Sequence, residues 1–346
     1  MKKYSSIEIL RFFTSLSILF YHYRHFFYPF NKTSNLIYEE ISISLPMYKF
    51  FMVFYEYGFI GVHVFYTISG FVFAHIYLNN ENKINYKNFF LNRFSRLYPL
   101  HFATLILVTL IQIFSYLKFH NFQIVLINDF YHFVLNLLFI SSWGFEQGHS
   151  FNAPIWSVSV EIGIYIIFFF MLNLIKKFKI ILIIFLSLTL LVVDKLKIFD
   201  TLFLECARLF FSGTLLFYII KFKLSYKITF TLSILLIIVS IVGNFKTFIF
   251  CPSLLLLFLS TEKLLNNKTI QIYFNKLGNL TYSLYLLHLP AQMIFLIVFK
   301  LFNLPENFFI NKIFIFFYFF SLIVAANYCF QLYEKRLNTL LRKKYN

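Results

Sequence analysis

The chain has 346 residues, 60% of them hydrophobic and only 13% charged, with a mean hydropathy of +0.75. A soluble domain carries about a quarter charged residues, so this composition excludes a water-soluble globular fold. The formal net charge is +17, but the basic residues stand between apolar runs. That placement assigns them to membrane topology and anionic headgroups, not to nucleic acid.

An α-helix needs about 20 apolar residues to cross roughly 30 Å of hydrocarbon. Ten stretches of about that size follow in order, near 6–28, 57–78, 94–117, 154–175, 179–194, 201–220, 227–243, 246–261, 279–300 and 309–332. They predict an all-α, polytopic membrane protein, a single membrane-embedded domain over 1–346. The first stretch is interrupted by Glu8 and Arg11 and lacks a small-residue cleavage site, so it reads as a retained span. A further apolar piece, 128–142, is short and carries Asp129 and His132 near one end. It predicts a short extra helix, partly buried or re-entrant, in a long outer loop. Cys206, Cys251 and Cys329 fall in or beside spans and have no disulfide or metal-ligand spacing.

Charge fixes the expected orientation. With ten spans and the N-terminus in the cytoplasm, the inside segments hold 20 of the 31 Lys and Arg residues and the outside segments nine. This is the positive-inside pattern, with both termini cytoplasmic and loops 29–56 and 118–153 outside. If 128–142 crossed, every later loop would change sides and the bias would vanish.

Ionisable residues inside spans are functional candidates by default. Arg11 and His22 are eleven residues apart, which returns a helix to within roughly 20° of the same direction, about 16 Å further along the axis. Snorkelling of Arg11 and an interfacial position for His22 are the alternatives. Arg93 and Arg96, at i and i+3, can present two forked guanidiniums suited to phosphate, or can simply anchor the start of a span. Glu161 lies about two turns into its span, near the expected depth of His22, where a carboxylate needs a partner; His22 is one candidate and a structural ion pair the other. Glu205 and Arg208 can pair within one helix turn. His288 lies in a later span, where a backbone carbonyl could satisfy it.

Five strings in order resemble the acyltransferase-3 family of membrane-bound O-acyltransferases, which includes bacterial surface-polysaccharide O-acetylases. Glu8-Ile9-Leu10-Arg11 through Tyr21-His22 resembles its first-helix signature. Gly58-Phe59-Ile60-Gly61-Val62 through Ser69-Gly70-Phe71 resembles its second-helix signature. Arg93-Phe94-Ser95-Arg96 resembles its RxxR motif, and Trp156-Ser157-Val158-Ser159-Val160-Glu161 its Trp-Ser-x-Ser-x-Glu. Leu277-Gly278 through Tyr282-Ser283-Leu284-Tyr285-Leu286-Leu287-His288 resembles its late Ser-Tyr-x-x-Tyr-Leu-x-His element. The matches run from residue 6 to 334. His63 stands where the family often has an acid, and no Pro follows Glu334.

The resemblance implies an O-acetyltransferase of the bacterial inner membrane. It takes an acetyl group from cytoplasmic acetyl-CoA, used as donor substrate without a metal, and passes it to a glycan hydroxyl. His22 would be the general base or carry a transient acyl group, with Arg11 on its face and Glu161 orienting the imidazole. Arg93 and Arg96 would receive the CoA phosphates. Acceptor choice would rest in the outer loops, with Tyr38, Glu39, Glu40, Trp143, Glu146, Gln147 and His149 as candidate contacts. The alternative is a transporter or flippase for a small anion or lipid-linked sugar, using the same buried charges; the inverted repeat expected of that class is not visible.

Overall fold

Over the described residues, each of the ten apolar stretches is mainly helix in the computed structural model. It describes residues 4–27, 45–79, 85–197, 201–222, 224–244, 246–265 and 267–345; Tyr38, Glu39 and Glu40 lie outside them. In chain order the α-helices are α1 (Ser5–His22), α2 (Tyr48–Tyr57), α3 (Ile60–Tyr77), α4 (Tyr86–Phe119), α5 (Phe130–Leu137), α6 (Ile155–Lys195), α7 (Leu202–Lys221), α8 (Tyr226–Val242), α9 (Thr247–Thr261), α10 (Lys268–Asn279), α11 (Thr281–Leu301), α12 (Lys312–Cys329) and α13 (Lys335–Tyr345). No strand occurs among the described residues.

The helix starts are written locally. The side chains of Asn85, Asp129, Thr201, Ser225 and Asn311 each accept a backbone N–H of the first turn of the helix they precede, satisfying donors that have no intrahelical partner. The stretches 154–175 and 179–194 form one 41-residue element whose helical path breaks at Lys179, where φ is 51° and ψ −130°. Among the described residues, seven helical segments are long and apolar enough to cross a membrane. Their outward side chains suit lipid: Leu117 and Phe170 are each 73% exposed and Ile313 77%. A water-facing surface seldom carries such contiguous apolar area, so the chain is an all-α polytopic membrane protein. The 128–142 piece holds only the eight residues of α5.

The fold divides into two compact units interleaved along the chain. The first comprises 1–14, 60–83 and 160–279. Its centre is α3 against α7, which run parallel: His63 meets Glu205 near their starts (2.9 Å) and Thr214 donates to the Gly70 carbonyl further on (3.3 Å). Phe73 stacks on Tyr165 at 4.1 Å, with Phe168 and Phe210 edge-on to it. The Glu262 carboxylate accepts the Ser5 and Ser6 N–H groups, at 3.2 and 2.8 Å, and so caps α1. Glu205 and Arg208 attract each other as spacing predicts, but their direct contacts are with other helices: Glu205 binds His63 and Arg208 binds Asp194.

The second unit comprises 15–59, 84–159 and 280–346. Here α4 and α11 run parallel, with Leu97 beside Tyr282 at one level and Leu105, Val108 and Ile111 packing with Leu289, Met293 and Ile297 further along. The connection between α4 and α6 is mostly irregular, and many of its polar groups find partners within the protein, although Gln123 Oε1, Asn136 Oδ1, Ser141 Oγ and Asn152 Oδ1 are buried without one. Gln112 donates to the Gln123 and Val125 carbonyls and accepts the Gln123 N–H (2.9, 3.2 and 2.8 Å). Asn152 donates to the Leu286 carbonyl (3.0 Å), and Trp143 to that of Ser159 (3.0 Å). Irregular backbone at membrane depth is tolerated only with such internal partners. In the same connection Asp129 accepts the His132 N–H and faces its Nδ1, while Nε2 accepts the Gln147 N–H (3.1 Å). These bonds, led by the His132 amide, hold the Asp129 carboxyl below its ordinary range.

Candidate active site

The second unit gathers three histidines. α1 ends at His22, and a tight 3-10 turn, Tyr23–Phe27, follows. The turn is held by the buried Tyr23, whose hydroxyl donates to the Phe309 carbonyl (2.8 Å), and by Phe26, stacked on Phe309 at 4.8 Å. It brings His25 back over His22, ring centroids 5.1 Å apart.

His288 of α11 also meets His22. The ring centroids are 4.9 Å apart with planes 14° from parallel, and the rings meet edge to edge, His288 Nε2 lying 3.1 Å from His22 Nδ1. One turn along α11, the buried Gln292 donates to the His22 carbonyl (2.7 Å), and its Oε1 faces His25 Nδ1 at 3.3 Å. His288 is completely buried, and the Tyr318 hydroxyl of α12 donates to its carbonyl (3.1 Å). His22 is only partly buried, and its Nε2 makes no hydrogen bond among the described residues. Sequence spacing put His22 on a face with Arg11; the rings found against it are those of His25 and of His288, 266 positions away.

Beside this cluster, the Tyr285 hydroxyl donates to the Pro154 carbonyl (2.7 Å) and lies 2.7 Å from Ser157 Oγ. The Trp-Ser segment that opens α6 is thereby fixed to α11. Trp156 faces the His149 ring at 6.2 Å. Burial pushes His149 below its ordinary value against the opposing pull of Glu146, so it is neutral at pH 7.

Arg93 and Arg96 sit half-buried early in α4. Between them the buried Ser95 donates to Asn338 (3.1 Å) and accepts from Arg342 Nε (3.4 Å) on α13. Arg342 therefore joins the pair, a neighbour that no local motif announces. Pro99 removes one helical N–H from this stretch. Two carbonyls around it are met from elsewhere: Tyr282 donates to Leu97 (2.7 Å) and Tyr333 to Pro99 (3.2 Å). Glu334 is buried in the π-helical segment Phe330–Glu334 and accepts from Ser283 (2.9 Å). With no proline after it, the chain continues directly as α13.

The other two candidates belong to the first unit. Arg11 donates to Glu8 one turn earlier (3.0 Å). Glu161 is partly buried and close enough to Cys206 to interact electrostatically.

Together these features define an integral membrane protein with a histidine cluster at the end of its first helix and a basic cluster at the start of a long one. The chain belongs to the acyltransferase-3 family, whose acyltransferase domain matches residues 4–330; it is a membrane acyltransferase. Searches of curated proteins and of solved structures give no significant match.

Proposed function

We propose that this acyltransferase moves an acetyl group from acetyl-CoA to a hydroxyl of a bacterial cell-surface glycan, with His22 as general base. The observation that carries the reading is the order of groups along α11. Tyr282 touches α4 one residue beyond Arg96, and His288 and Gln292 hold His22 six and ten residues further on. At 1.5 Å per residue this separates the RxxR level from the His22 level by about 9–15 Å. A donor with phosphates at one end and a thioester at the other of a long arm suits such a spacing. His22 Nε2 takes the hydroxyl proton, the hydroxyl oxygen attacks the thioester carbonyl, and the C–S bond breaks to release CoA. Arg11 and Glu161 are the two further charged groups this reading assigns to the reaction. The test is incubation of the purified protein with labelled acetyl-CoA and the host's surface glycan. Label in the glycan supports the reading; label that stays in CoA with every glycan fraction removes it.

Arg93→Ala and Arg96→Ala are expected to raise the KM for acetyl-CoA. Hydrogen bonds to charged groups contribute about 1.5–3 kcal/mol, so one loss weakens binding by about one to two orders of magnitude. The variants should still reach the membrane. Normal donor affinity in the double variant would reduce these residues to topology anchors.

This reading places both termini in the cytoplasm of the inner membrane, and helix direction supports the count of crossings on which it rests. Parallel α3 and α7, and parallel α4 and α11, each require an even number of crossings between the start of one helix and the start of the other. The ten-span layout gives four and six. A crossing by 128–142 would make both pairs antiparallel. A membrane-impermeant thiol reagent is expected to label Asn35→Cys from outside and spare Asn85→Cys. The reverse pattern would sink the orientation.

A further inference from the structure

Two neutral imidazoles that meet nitrogen to nitrogen must divide the roles of donor and acceptor. If His288 donated from Nε2, His22 would accept at Nδ1 and carry its own proton on Nε2. That nitrogen could then take no proton from a substrate. If instead His22 donates from Nδ1, its Nε2 holds a free lone pair.

The surroundings of His288 decide between them. Its Nδ1 is fully buried and makes no hydrogen bond of normal geometry; a helical side chain leans back over the turn before it, so the polar groups nearest this nitrogen are the Leu284 and Tyr285 carbonyls. A bare lone pair there would face carbonyl oxygens, whereas an N–H points its positive end at them. The proton therefore belongs on His288 Nδ1, which leaves Nε2 as the acceptor. The backbone of both partners is tied down: Tyr318 holds the His288 carbonyl and Gln292 the His22 carbonyl.

We infer that His288 is the positioning residue of the reaction: its Nε2 accepts from His22 Nδ1–H and so fixes His22 in the tautomer whose Nε2 is free to receive the acceptor hydroxyl's proton. The inference rests on the proposed role of His22 as base. In the reaction the proton passes from the hydroxyl to His22 Nε2, and the cation so formed keeps its Nδ1–H bond to neutral His288. The proton leaves on the thiolate released from CoA. His288 neither gains nor loses a proton. A buried carboxylate serves the same purpose in many histidine sites; here a second imidazole does so without placing a net charge at membrane depth, where charge is costly.

The test compares two substitutions of similar size. His288→Gln keeps an acceptor near the position of Nε2, and His288→Met keeps volume without one. Acetyl transfer from labelled acetyl-CoA to the host's surface glycan is measured for both variants, purified at matched amounts. His288→Met is expected to lower kcat about 10–100-fold, the usual cost of losing the group that orients a functional histidine, with the KM for acetyl-CoA unchanged. His288→Gln is expected to recover most of that loss. In the double variant with His22→Ala, His288→Met should cost nothing further, because it acts only through His22. Equal rates for the Gln and Met variants, whether both fast or both slow, overturn the inference, as does a multiplicative loss in the double variant. Failure of the base assignment looks different: His22→Ala alone would keep near-parent activity.

Discussion

His22→Ala is expected to lower acetyl transfer by about 10²–10⁴-fold, the contribution of a general base, with the protein still inserted and folded. The ring's environment supports both halves of that statement. His22 is only partly buried and its Nε2 is unbonded among the described residues, so its removal opens no sealed cavity. The histidine level stays held by Tyr23, Gln292 and Tyr318 through backbone carbonyls, none of which the substitution touches. His22→Gln separates hydrogen bonding from proton transfer, since an amide can donate and accept but cannot take up a proton. It should be nearly as slow as Ala. His25→Ala should be far milder: His25 meets the cluster through Gln292 and by stacking on His22. The measurement is the initial rate of label transfer from acetyl-CoA to glycan at matched protein level. A near-parent rate for His22→Ala would end the proposed mechanism while leaving the family membership intact.

The bilayer made much of this fold legible. A crossing needs a long run of apolar residues whatever packs against it, so the ten stretches could be read without tertiary information, and each is mainly helical over the described residues. The eight-residue helix in the 128–142 piece was legible for the converse reason, being too short to cross. Partners were not legible. Glu205 and Arg208 satisfy the i, i+3 rule, yet spacing along one helix says nothing of stronger partners on the next, and His63 and Asp194 take them. The sequence singled out His22, but one of the two rings against it lies 266 positions later, beyond any periodicity. His288 stood out as a histidine in a span and as the end of the late motif, and neither signal pairs it with His22. Arg342 was hidden in a C-terminal basic run that reads as topology, and only the fold of α13 onto α4 brings it to Ser95.

Gly70→Val and Gly213→Val are expected to be the most damaging substitutions to stability in the first unit. A Cβ built on Gly70 would fall on the Phe210 carbonyl, and one on Gly213 on the Thr67 carbonyl. Both obstacles are backbone, so neither can swing aside; α3 and α7 would have to separate. In lipid, helices gain nothing from hydrophobic burial against each other and rely on close van der Waals contact and interhelical hydrogen bonds. Separation would loosen the Thr214 bond to the Gly70 carbonyl and the His63–Glu205 pair, leaving polar groups at membrane depth poorly met. Overpacking costs about 1–3 kcal/mol and occasionally more; contact with backbone on both helices places these sites at or above the upper end. Gly144→Asn is the control. Gly144 has no atom within 4 Å of an added Cβ but a φ of 90°, so a side chain there costs backbone strain without overpacking, and Asn bears positive φ better than most residues. Thermal midpoints of the detergent-solubilised proteins should fall further for the two valine variants than for this strain-only control. Unchanged midpoints for Gly70→Val would mean that α3 and α7 do not approach backbone to backbone, and the core of the first unit would have to be redrawn.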